Sequence, residues 1–394
     1  MLTFFIACFW LSLGILFYSY LGYGLVLFGL VKAKRAFKPA APKFSDSEEM
    51  LPEVTVVVAA YNEEDYITEK INNTFSLQYP PEKLKLLVVT DGSFDQTPDL
   101  VKRYPNVTLL HQPERKGKIA AVERAIPFVT TDIIVFTDAN TMLNTEAILK
   151  LVRHYQNEKV GAVAGEKRIV AKEKDAAHGA GEGMYWKYES ALKKWDSELY
   201  TVVGAAGELF SIRRKLFEPV PHDTLIEDFY MTLRIAQKGY QVRYEPEAYA
   251  LEGPSASVGE ELKRKIRIAA GGIQAVVRLS SLLNVPKYGL LSFQYISHRV
   301  LRWTLAPLAL LLLLVSNISL ALSSNTVFFQ LGLALQIFFY TAAMIGRICE
   351  TRQLKVKAFF VPYYFLVMNY AVYLGFARFL KGSQSVLWEK AKRG

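Results

Sequence analysis

Ile133-Ile134-Val135-Phe136-Thr137-Asp138-Ala139-Asn140-Thr141 is an apolar run that ends in a carboxylate and an amide. A short continuous apolar run of this kind predicts a buried strand. Successive strand side chains point to opposite faces, so residues i and i+2 share one. Asp138 and Asn140 can therefore converge on one ion just past the strand end. In an open α/β sheet, ligands sit outside the carboxyl ends of the strands. Oxygen ligands in that place suit Mg²⁺ or Mn²⁺ carrying a diphosphate. The plain alternative is a strand followed by an Asx turn, which Asp and Asn favour in any protein.

Outward from that strand the pattern alternates. It predicts strands over 54–60, 84–90 and 107–110, and helices over 65–77, 97–104, 117–126 and 145–155. Strands alternating with helices imply a parallel sheet covered on both faces, an α/β class that often binds nucleotides. Fold alone does not give function. After Ala162-Val163-Ala164-Gly165 the alternation stops. A helix over 184–199 follows, then the small-residue turn Gly204-Ala205-Ala206-Gly207 leading into a strand, then a helix that opens at Ile226-Glu227-Asp228 and stops at Gly239. A basic amphipathic helix over 260–277 carries Lys263, Arg264, Lys265 and Arg267 and can lie in a membrane surface.

The chain has 394 residues, is 51% hydrophobic and carries a net charge of +10. That charge suits nucleic acid, anionic lipid or a phosphate-bearing substrate. The apolar segments decide for a membrane and against nucleic acid. Residues 4–32 carry no charge until Lys32 and are long enough to cross a bilayer. They lack the basic start and cleavage site of a signal peptide, so they read as an uncleaved anchor. Lys32, Lys34, Arg35 and Lys38 follow and place the next region in the cytoplasm. Further apolar stretches cover 301–322, 327–345 and 359–376, the last broken by Pro362. Basic residues at Arg347, Arg352, Lys355 and Lys357 put the second loop inside, but a full third span would then strand the basic tail outside. Either the rule fails or the last segment re-enters. Two isolated cysteines, Cys8 and Cys349, make neither a disulfide framework nor a zinc site. The expected division is a membrane helix over 1–32, a linker over 33–51, a catalytic domain over 52–257, interfacial helices over 258–300, a membrane region over 301–380 and a basic tail over 381–394.

Three more acidic sites follow the predicted strands, each with a plain alternative. Ala59-Ala60-Tyr61-Asn62-Glu63-Glu64 can stack a base and bond a ribose, or cap a helix. Thr90-Asp91-Gly92-Ser93 can accept a bond from a uracil imide, or form an Asp-Gly turn. Glu227-Asp228 places carboxylates at a helix start, where the helix dipole favours them anyway. On the basic side, Arg115-Lys116-Gly117-Lys118 precedes a helix whose N–H groups, with Lys, can hold phosphate oxygens. Arg264 and Arg267 share a helix face and can stabilise a leaving diphosphate or bind lipid headgroups. His222 lies shortly before Asp228 and reads as polar surface rather than a metal ligand.

Taken in order, Ala60-Tyr61-Asn62-Glu63, Asp91-Gly92-Ser93, Asp138-Ala139-Asn140 and Glu227-Asp228-Phe229 resemble the motifs of membrane-bound family 2 glycosyltransferases. These include cellulose, hyaluronan and poly-N-acetylglucosamine synthases and ceramide glucosyltransferase. The resemblance covers the whole chain and implies a GT-A domain, α/β with a mostly parallel sheet, between one transmembrane helix and several. It implies that Ala60, Tyr61, Glu63 and Asp91 bind the uridine and that Lys118 approaches the phosphates. Asp138 and Asn140 would hold the diphosphate with Mg²⁺ or Mn²⁺. Asp228, with Glu227 beside it, would be the general base of an inverting transfer.

Two departures matter. The middle motif of the family ends in Asp, where this chain has Asn140, a weaker ligand. The polymer synthases also carry Gln-x-x-Arg-Trp, for which two stretches compete. Arg264-Lys265-Ile266-Arg267-Ile268 fits by position but lacks Gln and Trp; Arg299-Val300-Leu301-Arg302-Trp303 fits by letter and reads as an interfacial anchor. A site without that Trp counts against long processive growth. The tail's Trp388-Glu389-Lys390 resembles an ending found in bacterial members. The expectation is a multi-pass cell-membrane enzyme, catalytic domain in the cytoplasm, moving sugar from a UDP-sugar to a saccharide or lipid-linked acceptor in cell-surface polysaccharide synthesis. A glycolipid synthase adding one sugar to a membrane lipid is the alternative. A transporter with a regulatory nucleotide-binding domain is more distant, because the spans carry few ionisable residues.

Overall fold

The computed structural model describes residues 1–37, 51–169, 178–253, 258–352, 354 and 356–382. The tail's Trp388-Glu389-Lys390 lies outside them. In chain order come α1 (Leu2–Phe17) and α2 (Tyr23–Phe37), joined by a π-helical turn over Tyr18–Gly22. The domain then runs β1 (Val54–Ala60), α3 (Ile67–Phe75), β2 (Leu84–Asp91), α4 (Thr97–Lys102), β3 (Val107–Gln112), α5 (Lys118–Ala125), β4 (Ile133–Asp138) and β5 (Met142–Leu143). It continues through α6 (Ala147–Val152), β6 (Val160–Ile169), α7 (His178–Leu199), β7 (Leu209–Arg213), α8 (Glu227–Gln237) and β8 (Gln241–Glu252). The remainder is helical: α9 (Val258–Arg278), α10 (Val285–Tyr288), α11 (Leu290–Tyr295), α12 (Leu301–Trp303), α13 (Leu305–Ser323), α14 (Val327–Thr351) and α15 (Lys357–Leu380).

The strands form one sheet in the order β3-β2-β1-β4-β7-β6-β8-β5. From β3 to β4 every pairing is parallel. Strands β1, β2 and β4 are buried on both faces, which explains their mostly apolar runs, whereas β3 at the edge is partly exposed. Alternate residues feed two cores. Ile134 and Phe136 face α5 and α8, while Ile133 and Val135 face α3 and α6. Where the sequence alternation ends, β7 inserts antiparallel between β4 and β6. The sheet is therefore mixed, with β6–β8 parallel again and β5–β8 antiparallel. This order places the ends of β1, β2 and β4 side by side, with Asp138 in register with Ala59.

Four described helices are long and apolar enough to cross a membrane: Leu2–Phe37, Leu305–Ser323, Val327–Thr351 and Ala358–Leu380. The first runs past the expected boundary at residue 32, and its basic end docks on the domain. Lys34 donates to the backbone carbonyls of Glu198 and Leu199 at 2.5 and 2.8 Å, and Arg35 pairs with the Glu198 carboxylate at 2.6 Å. These cations meet the carbonyl end of α7, where the helix dipole favours positive charge. At the far end Phe9 packs with Leu320 and Phe329.

Helix α15 is continuous through Pro362. Its early turns lie against the end of α14, where a Cβ on Gly346 would meet the Phe359 carbonyl. Farther along, the Tyr373 hydroxyl donates to the carbonyl of Pro307 at the start of α13. Gly375 sits against Ala269 and Ala270 of α9. Early and late, α15 thus touches its neighbours near their domain-side ends. The expected interfacial helix, α9, is packed on two sides: α15 covers Ala269 and Ala270, and Gly271 lies against Leu225 and Ile226.

Arg299-Val300-Leu301-Arg302-Trp303, expected as an interfacial anchor, is held by partners within the protein. Arg299 pairs with the buried Glu189 at 3.3 Å and Arg302 pairs with the same carboxylate. Trp303 packs edge-on against Phe229 at 5.2 Å and fills the space a Cβ on Gly272 would need. Neighbouring His298 is held between Asp196 at 2.6 Å and Glu189 at 3.2 Å. The letters of the motif gave its composition; its burial depends on α7, far away in the chain.

Candidate active site

The carboxyl ends of β1, β2 and β4 bring the sequence-predicted residues together. Ala60 closes β1 and is fully buried, and Glu63 behind it is 8% exposed. Tyr61 was expected to stack on a base, but the Arg115 guanidinium already lies over its ring at 3.7 Å from the centre. Phe94 meets the same ring edge-on at 6.3 Å. A base would therefore meet the Arg115–Tyr61 pair or the other face of the ring. Asn62 takes a left-handed φ of 54°. Its amide donates to the Ser93 hydroxyl at 3.1 Å and its side chain accepts the Phe94 amide at 3.0 Å, tying the first two motifs together.

The buried carboxylate of Asp91 accepts the backbone amides of Lys116 at 2.7 Å and Gly117 at 2.9 Å. It thereby fixes the loop that delivers Lys118 from the start of α5. The Lys118 ammonium lies 2.8 Å from Asp138 and 2.9 Å from Glu227. Burial works against its charge, but Asp138 and Glu227 outweigh it and hold the pKa above the ordinary lysine value. Burial likewise opposes the Glu227 carboxylate, and Lys118 reverses that, holding its pKa below the usual value. Asp228 differs. Burial, reinforced by the neighbouring Glu227 charge, pushes it up to about 7 against the pull of Lys118. A carboxyl tuned toward neutrality beside a fixed ammonium is suited to take up a proton at ordinary pH.

Asn140 follows on the turn after β4, partly exposed like Asp138. A carboxylate and an amide oxygen two residues apart suit a hard divalent ion that keeps phosphate oxygens in its shell. Among the described residues no group of three or more His, Cys, Asp or Glu gathers as a ready protein cage. His222 is well exposed and lies 3.5 Å from Glu123, apart from these groups. Arg264 is held by Glu261 on its own helix at 2.9 Å and stands 3.9 Å from Glu208. Arg267 donates to the Leu225 carbonyl at 3.0 Å. Both border the site through partners of their own.

The loop Gly204-Ala205-Ala206-Gly207-Glu208 read as no more than a turn in the sequence, yet it borders Asp228. A Cβ on Gly207 would lie 3.3 Å from the Lys118 ammonium and 3.5 Å from an Asp228 carboxylate oxygen. Gly204 has φ 92°, and a Cβ there would strike the Phe229 ring. Glu208 pairs with the buried Lys167 at 2.6 Å. Burial opposes its charge, but Lys167 and then Arg264 hold its carboxyl well below the usual range.

Residues 55–220 match the family described as glycosyl transferase family 2. A probable glycosyltransferase, YdaM of Bacillus subtilis, is 26% identical over 285 residues, 68% of this chain and 67% of the relative. A poly-beta-1,6-N-acetyl-D-glucosamine synthase of Staphylococcus aureus is 26% identical over 233 residues, 57% of this chain. The match spans 56% of that synthase's length. Among solved structures, the mannosyltransferase PcManGT from Pyrobaculum calidifontis, in complex with GDP-mannose and Mn²⁺, superposes with a TM-score of 0.72 at 22% identity. It covers 97% of this chain and 99% of that one, which is a likeness of fold.

Proposed function

Since this chain is a glycosyltransferase with a family 2 domain over residues 55–220, we propose that it moves a sugar from a UDP-sugar to a saccharide acceptor in cell-surface polysaccharide synthesis. The observation that carries the reading is the cluster of Asp228, Glu227, Lys118 and Asp138, with Lys118 within 3 Å of two of the carboxylates. Asp228 takes the proton of an acceptor hydroxyl. The hydroxyl oxygen bonds to C1 of the donor sugar as the bond from C1 to the diphosphate oxygen breaks, inverting that carbon. UDP leaves with the electron pair.

Ala60, Tyr61, Glu63 and Asp91 would form the nucleoside end of the site. Lys118 would exchange part of its carboxylate pairing for the diphosphate. Arg264 and Arg267 would add charge on the leaving side by giving up Glu261 and the Leu225 carbonyl. Asp138 and Asn140 would hold Mg²⁺ or Mn²⁺, which supplies neutralising charge to the leaving diphosphate. With four helices apolar enough to span, the enzyme would sit in the cell membrane, its catalytic domain toward the cytoplasm.

The test uses the full chain in lipid with Mn²⁺ and labelled UDP- and GDP-sugars, each supplied alone. Label from a UDP-sugar in product retained on a sizing gel is the expected result. Label moving into organic solvent as one small species would replace this reading with single-sugar transfer to a lipid. Transfer from a GDP-sugar alone would overturn the donor assignment.

A further inference from the structure

Lys70 is fully buried, although nothing in the proposed chemistry uses it. Its ammonium donates to the Thr137 hydroxyl at 2.8 Å and to the Thr141 carbonyl at 2.7 Å. One helical turn later, on the same face of α3, Asn73 grips the next residues. Its amide nitrogen donates to the Leu143 carbonyl at 2.9 Å and its oxygen accepts the Leu143 amide at 2.8 Å. Asn73 thus bonds β5 as a neighbouring strand would. The turn that carries Asp138 and Asn140 lies between the two residues Lys70 bonds, and Asn73 holds the strand just after it.

The contacts extend to the acceptor side. The Thr137 hydroxyl that accepts from Lys70 donates in turn to the Glu208 carbonyl at 2.9 Å. That carbonyl belongs to the loop bordering Asp228. The Thr141 hydroxyl closes the turn by donating to the Asp138 carbonyl at 3.0 Å. A buried ammonium is costly even with two of its donors met, and a methionine would fill the same volume but leave the Thr141 carbonyl without that partner. Together the two bonds fix both ends of the turn.

We propose that Lys70 and Asn73 are positioning residues: they hold the Asp138–Asn140 turn in the geometry that receives a nucleoside diphosphate with its divalent ion, and Lys70 couples that turn to the loop beside Asp228. The proposal rests on the reading of Asp138 and Asn140 given above. It is tested in the full chain with Lys70→Met and Asn73→Ala, by sugar transfer at varied Mn²⁺, donor and acceptor, by melting, and by amide hydrogen exchange over residues 138–143 without ligand. The expected result is a rise of about tenfold in half-saturating Mn²⁺ or donor in both variants, faster exchange over 138–143, and an unchanged KM for acceptor in Asn73→Ala. A lowered Tm with unchanged Mn²⁺ and donor dependence would overturn it. If Lys70→Met fails to fold, Asn73→Ala carries the same readouts. A wild-type protein indifferent to Mn²⁺ and donor would indict the function instead, and the exchange measurement would then decide whether the two side chains hold the turn.

Discussion

Asp228 and Lys118 show how burial can be turned to use. A carboxyl raised to about 7 is competent as a base only when deprotonated. kcat/KM should therefore rise with pH through about 7 and level above it. Lys118 restrains that rise, so Lys118→Met should move the limb to higher pH and slow transfer by about 10²-fold or more, both read from one pH–rate profile. The same shift has a stability consequence. A folded-state pKa above the unfolded value contributes stability that is complete below the ordinary carboxylate pKa and lost as pH rises through about 7. Asp228→Asn should accordingly melt higher than wild type at pH 8, by about 3 °C for each kcal/mol recovered, with the difference vanishing near pH 4. Equal melting at both pH values would show that the carboxyl is not strained by burial.

Among elements, the loop from Gly204 to Glu208 is where the site is most sensitive to volume. A Cβ on Gly204 would stand 2.0 Å from a Phe229 ring carbon, at a φ that side chains seldom adopt. Gly204→Ala should cost about 3 kcal/mol in denaturant unfolding and displace the start of α8. Near-neutral unfolding with full activity would contradict this placement. The contrast with β1, β2 and β4 shows what a sequence can carry. Their apolar runs and terminal Asp or Tyr residues were legible because local pattern and sheet position coincide. The insertion of β7 was not, because pairing between β4 and β7 joins residues far apart in the chain and leaves no local period. Lys70 was hidden for the same reason: it sat on a predicted helix, and its acceptors came from Thr137 and Thr141. The Arg299–Trp303 stretch was visible as a motif but its partners were not, since Glu189 and Phe229, which hold it, come from α7 and α8.

At the scale of the whole molecule, the contacts of the last apolar segment bear on which side its tail lies. Helix α15 has the length of a span, yet its contacts at Gly346, Pro307 and Ala269 fall near the domain. No α15 residue joins the described cluster at the far end, where Phe9 meets Leu320 and Phe329. The expectation is that Lys381, after α15, lies on the same side of the membrane as the catalytic domain. Single cysteines at Lys381, Lys215 and Ser324, with Cys8 and Cys349 replaced by serine, would be treated with a membrane-impermeant maleimide in sealed vesicles. Lys381→Cys and Lys215→Cys should label together, and Ser324→Cys from the opposite side. Lys381→Cys labelling with Ser324→Cys would make α15 a true crossing and leave the positive-inside pattern violated at the tail.

The same cluster of carboxylates and one lysine underlies every expectation about activity, and one comparison exposes it most directly. Sugar transfer from labelled nucleotide-sugars would be followed in lipid for the wild-type chain and for Asp228→Asn, with nucleoside diphosphate binding measured on both. Transfer by the wild type, a loss of about 10²–10⁴-fold in the variant and undiminished nucleotide binding is the expected result. Full transfer by Asp228→Asn would remove the base from the site, and no transfer by the wild type from any nucleotide-sugar would remove the reaction.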